Sequence, residues 1–126
     1  MGDIKTTYDL PRDLTIVRAA GKMIAHDFHE WIVEYYAGTV TQRIVWDLTN
    51  ADMSNIDLKD VLKNVTYIKQ AAGHLRTGGR TAVVADDDWI AMALSRYQQV
   101  FLEMSGMGIE MKTFHHMSEA MEWLGF

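Results

Sequence analysis

Short apolar runs of strand length alternate along this chain with segments of helical period, and that alternation limits the folds open to it. Residues 14–20 (LTIVRAA), 44–48 (IVWDL), 80–85 (RTAVVA) and 109–114 (IEMKTF) read as strands. The run at 44–48 is nearly unbroken and apolar, as suits a central strand covered on both sides. Between the runs lie helices. Over residues 25–37, Phe28, Trp31, Ile32, Tyr35 and Tyr36 recur at helical spacing, and Gly38 follows as a stop that accepts positive φ. Asp57 reads as an N-cap with Asp60 three residues on, close to a capping box. That helix should run to about His74 with Leu58, Val61, Leu62, Val65 and Ile68 on one face, and Gly73, Gly78 and Gly79 surround its end. Asp86, Asp87 and Asp88 open a third helix with Ile90, Ala93, Leu94, Tyr97, Phe101 and Met104 inside, ended by Gly106 and Gly108. Ser118 is expected to cap a short last helix, EAMEWLGF.

Upstream, residues 4–8 form one more short run. Asp9, Leu10, Pro11, Arg12 and Asp13 separate it from Leu14 and hold the chain's one proline, which predicts an antiparallel hairpin. The order β-β-α-β-α-β-α-β-α makes this an α/β chain. Its later strands should be parallel, joined by right-handed crossovers. With 126 residues, 48% of them hydrophobic, one domain over residues 1–126 with one core is expected.

Composition narrows the function. The net charge of -5 repels phosphate backbones, so nucleic acid is not expected as a partner. With no cysteine, there is no disulfide framework, thiolate metal site or Cys nucleophile. No apolar run approaches the about 20 residues that span a bilayer. The opening MGDIKTTYDL has no apolar signal core, which reads as a cytoplasmic protein. Residues 1–6 fit the loose myristoylation pattern, but that pattern often matches by chance.

Two groups of residues are candidate sites. Asp47, Asn50, Asp52, Ser54 and Asp57 cluster around the loop after the central strand, in RIVWDLTNADMSNIDLKD. In open parallel sheets, ligands and partners meet the carboxyl ends of strands. The same residues are also the usual turn formers and helix caps, so both readings stand. Trp89, Met92, Arg96 and Val100 form a second stripe on the third helix, beside its core stripe. With Met104, Met107, Met111, Met117 and Met121 nearby, that stripe reads as a wide core, a homodimer face or a lipid-sized groove.

His26, His29 and Glu30 share a helix face at metal-ligand spacing but lack the full ligand count, and read as a polar face. His115 and His116 read as a loop or helix start. The three aspartates at 86–88 lack interleaved calcium-loop spacing and read as a cap. No catalytic motif is found, and the Gly-bearing segment 73–79 follows a helix rather than a strand, the wrong context for a phosphate loop. No catalytic residue, metal or cofactor is therefore assigned.

Three stretches in order, LTIVRAAGKM before a helix, RIVWDLTNADM, and EAMEWLGF after a strand, give the chain a family likeness. It resembles the STAS-like, SpoIIAA-like superfamily, the fold of bacterial anti-sigma-factor antagonists, over nearly its whole length. The resemblance implies a SpoIIAA-like fold: a mixed sheet with helices packed mainly on one face. It also implies a non-enzymatic regulatory module that binds a protein partner through the loop after the central strand and the next helix; a homodimer is expected as well. Well-studied members carry a phosphorylatable Ser or Thr where that helix starts. Here the position falls near Ile56 and Asp57, with no hydroxyl, and Ser54 is out of register. The phosphoswitch is not carried over; Asp57 supplies a fixed negative group at the helix N-terminus instead. Some relatives resemble CRAL-TRIO lipid-transfer domains, which implies the alternative of a small apolar ligand or lipid.

Overall fold

A computed structural model of the chain describes residues 2–72 and 74–126. Met1 of the myristoylation pattern and Gly73 of the glycine-bearing segment lie outside them. The first hairpin is set by its turn. Strands β1 (Asp3–Asp9) and β2 (Leu14–Lys22) pair antiparallel, from Asp9 opposite Leu14 to Asp3 opposite Ala20. Pro11 sits in a single 3₁₀ turn, Leu10–Arg12, where its missing N–H is no loss. Asp13 then adopts φ 53°, and its N–H donates to the Leu10 carbonyl at 3.0 Å.

From β2 onward every strand pairing is parallel. The order is α1 (Ala25–Ala37), β3 (Arg43–Asp52), α2 (Leu58–Ala72), β4 (Arg80–Val84), α3 (Asp87–Arg96), α4 (Gln98–Gly106), β5 (Glu110–Phe114) and α5 (Met117–Trp123). The sheet runs β1-β2-β3-β4-β5, so each strand lies beside its neighbour in sequence. This is the mixed, mostly parallel α/β sheet that the sequence predicts.

Strand alternation divides the core. Val17, Ile44, Trp46 and Val83 face the layer made by α1, α2, α3 and α4. Leu14, Val45, Ala82, Val84 and Phe114 face the other way, where α5 covers them with Ala120 and Leu124. Helices thus pack mainly on one face. Leu14, Val17 and Val45 are fully buried, and each such side chain contributes about 1.5–3 kcal/mol.

Four local expectations need correction. The third helix is two helices. Tyr97, at φ −106° and ψ 17°, separates α3 from α4, because its ring is drawn into the core and its hydroxyl donates to the Ile56 carbonyl at 3.4 Å. Leu94, expected inside, lies on the outer face of α3 at 52% exposure, while Ile90 and Ala93 face the core. Ser118 lies inside α5, whose N-cap is His116 with extended backbone. Gly38 does end α1, but with φ −114° rather than a positive value. The central strand, expected to stop at Leu48, runs on to Asp52. Among the described residues, no helix is long and apolar enough to cross a membrane.

Candidate functional site

β3 outruns its neighbour. It pairs with β4 only from Arg43 to Asp47, while its partnership with β2 continues to Lys22 opposite Asp52. The residues expected in a loop therefore build the tip of a two-stranded ribbon. Turn-forming side chains are tolerated there because the ladder to β2 satisfies the backbone. The ribbon carries a bulge. Arg18 faces Asp47 and Ala20 faces Asn50, so β3 holds one residue more than β2 over this step. The extra residue changes the alternation: Leu48 and Ala51, three positions apart, pack against the same core cluster. Asn50 and Asp52, on either side of Ala51, are exposed.

The acidic groups here are fixed by nearby N–H donors. The Asp47 carboxylate accepts from the Thr49 N–H at 3.1 Å and the Thr49 hydroxyl at 2.7 Å, with the Arg18 guanidinium 3.8 Å away. Asp52 accepts from the Ser54 N–H at 3.0 Å. The Ser54 hydroxyl and N–H together hold the Asp52 carboxyl below its ordinary range. Asp57 and Asp60 form the reciprocal capping box that the sequence predicts. The Asp60 N–H donates to Asp57 at 2.9 Å, and the Asp57 N–H to Asp60 at 3.2 Å. At the next strand end Asp86 caps α3, accepting from the Trp89 N–H at 2.9 Å, and Asp87 pairs with His115. The structure thus gathers Asp47, Asn50, Asp52, Ser54 and Asp57 at the carboxyl end of the parallel strands. It presents them as an acidic, largely exposed edge.

The second expected group is divided between two helices. Trp89 and Met92 are half-buried on α3, and Arg96 is exposed, its guanidinium 3.8 Å from the Met92 sulfur. Val100 belongs to α4 and is buried with Val65, Ala93, Tyr97 and Met104. Trp89 and Met92 pack against that same cluster from α3, so three of the four join one core and Arg96 stays outside it.

A cavity of about 170 Å³ lies instead between α1, α2, α4 and the sheet. Its walls include Phe28, Trp31, Trp46, Val65, Ile68, Val83 and Met104. Of the second expected group, only Val100 reaches it. Nothing in the apolar periodicity separates a wall residue from an ordinary core residue, so this space leaves no sequence signal. Arg76 also lines it and is 1% exposed. Its guanidinium donates to the carbonyls of Thr41, Gln42 and Arg80 at 2.9–3.0 Å and to the Thr81 hydroxyl at 2.9 Å. Nearby, burial raises the Tyr36 phenol above its ordinary pKa, partly offset by the Arg76 charge and hydrogen bond.

A polar cleft adjoins the cavity, lined by Ala25, His26, His29, Asp60, Lys63 and Asn64. His29 Nδ1–H donates to Asn64 Oδ1 at 2.8 Å, joining α1 to α2, and its ring meets Tyr67 edge-on. His26 lies 3.6 Å from Glu30 at the surface. Among the described residues, no group of three or more His, Cys, Asp or Glu side chains is placed to hold a metal ion.

Comparison with known proteins places this geometry. The SpoIIAA-like family model matches residues 14–125. An anti-sigma factor antagonist from Mycobacterium paratuberculosis superposes with a TM-score of 0.62 at 14% identity, covering 98% of this chain and 94% of that one. An uncharacterized protein of the DUF3478 family from Shewanella loihica PV-4, with a SpoIIAA-like fold, gives 0.56 at 15% identity, covering 98% and 93%. Among curated protein sequences no significant relative is found.

Proposed function

The chain belongs to the SpoIIAA-like family, and from that premise we propose that it is a cytoplasmic, non-enzymatic regulatory module, one domain over residues 1–126. It binds a protein partner through the β3 tip and the start of α2. The observation that carries this reading is the projecting ribbon end. Asn50, Asp52, Ser54 and Asp57 are exposed there on backbone held by β2 and by the capping box. Fixed carboxylates at Asp47, Asp52 and Asp57 favour a partner with a basic surface, since charge complementarity sets specificity and encounter rate. Asp57 gives the helix start a constant negative group, so binding needs no phosphate there. The superposing Mycobacterium protein is an anti-sigma factor antagonist, a role exerted on another protein.

Affinity capture of the partner, repeated with Asn50→Ala, Ser54→Ala and Asp57→Ala combined, tests the reading. The partner should be lost while the fold persists. Unchanged capture would put the interface elsewhere. A homodimer is part of the same proposal. Leu94 and Leu102, 52% and 72% exposed, give α3 and α4 an apolar outer surface that a second copy would cover. Native mass spectrometry reads the dimer directly, and a monomer at micromolar concentration would remove this part.

A further inference from the structure

The helices over β3 and β4 do not fill the space above them. The cavity they leave is bounded almost wholly by apolar side chains, with Asp60 and Asn64 among its few polar residues. Apolar cavities of about 150 Å³ stay dry and take up benzene or xenon. The space here, about 170 Å³, suits one substituted ring. It is too small for the lipid-sized ligand that the sequence suggests.

Charge decides the ligand class. Arg76 is the cation in the wall, and it would be the natural partner of an acidic ligand. Its donors are already directed at the Thr41, Gln42 and Arg80 carbonyls and the Thr81 hydroxyl. A ligand carboxylate would therefore be buried beside the Asp60 carboxylate with the guanidinium already engaged, which is unfavourable. Met53, Met104 and Met111, all in the lining, can adapt to different shapes.

We propose that this cavity binds a small neutral apolar molecule, about the size of a substituted benzene ring, which enters between α1 and α2. The entry follows from shared walls. Ala25, Asp60 and Asn64 line both the cavity and the outer polar cleft. The His29–Asn64 hydrogen bond spans the same gap between the helices. Binding there does not depend on a protein docking at the β3 tip, so either proposal can fail without the other.

Titration of the whole chain with toluene, followed by amide and indole NMR signals, tests this, with benzoate as the charged comparison. Toluene should produce saturable shifts at α1, α2, β3 and β4, including the Trp31 and Trp46 indoles. Benzoate should bind at least about tenfold more weakly. Val100→Phe fills the cavity from α4 and should weaken toluene by about tenfold or more. If that variant does not fold, Ala25→Phe at the rim replaces it with the same expectation. No saturable toluene binding up to its solubility would overturn the proposal. So would benzoate binding as tightly as toluene, or full affinity in the folded, filled variant.

Discussion

The two ends of the sheet handle charge in opposite ways. At the carboxyl end, Asp47, Asp52, Asp57 and Asp86 each accept from an N–H no more than three residues away. At the other end the charged groups reach across the chain. Arg43 donates to the Leu124 carbonyl at 2.8 Å and Arg80 to the Trp123 carbonyl at 2.6 Å, partners 81 and 43 residues distant. The same guanidiniums lie over the Phe126 and Trp123 rings at 5.2 Å. Arg76 ties the start of β4 to the segment before β3 from within the core. Local bonds shape a turn and do little for the whole; long-range bonds hold elements together. The arginine end therefore ties distant elements together, and the aspartate end is left exposed, as the proposed partner surface requires.

That contrast can be broken by experiment. Arg76→Met should have the largest effect, lowering unfolding free energy by about 3 kcal/mol or more, because it strands several buried acceptors. Urea unfolding measures this, and a loss under about 1 kcal/mol would end the claim that this end is the stronger. Arg43→Met should remove about 1–2 kcal/mol by releasing the segment after α5. Asp57→Ala should remove only about 1 kcal/mol, the usual worth of an N-cap.

Ser54→Ala should have the smallest effect and sharpens the picture of the acidic end. It removes the hydroxyl that helps depress Asp52, so the carboxyl should titrate closer to its ordinary range in an NMR pH series. A depressed folded pKa stabilises above the unfolded value, near about 3.9, and that contribution is lost as pH falls through the folded value. The variant should therefore be slightly less stable than the parent near neutral pH, and the difference should vanish in acid, where Asp52 is protonated in both. A difference that persists in acid, below the folded value, would mean that Ser54 does structural work beyond Asp52.

The sequence carries some of this plainly. α1 spans Ala25–Ala37 as its periodicity predicts, and the Asp57–Asp60 box forms as its spacing predicts. Such features are local, so neighbouring residues suffice to reveal them. The misses are tertiary. The β3 tip looks like a loop because Asn and Asp disfavour strands, yet pairing with β2 overrides that preference. Nothing around Tyr97 resembles a helix breaker; core packing ends α3 there. Arg76 sits in a glycine-bearing, polar stretch that reads as surface, and only the fold reveals its burial. The candidate acidic edge was legible residue by residue, but the ribbon that presents it was not.

The strand order has a consequence for how the chain assembles. Each strand pairs with the one that precedes it in sequence, so the sheet can grow at one open edge as the polypeptide is synthesised. No later strand has to be threaded between two that already pair, and each addition after the first hairpin closes a loop holding one helix, or two between β4 and β5. The exceptions are the long tethers. Arg43 and Arg80 must wait for the carbonyls of Leu124 and Trp123, which emerge late. The topology thus leaves stepwise growth from β1 open to the chain, with the tethers to the residues after β5 formed last.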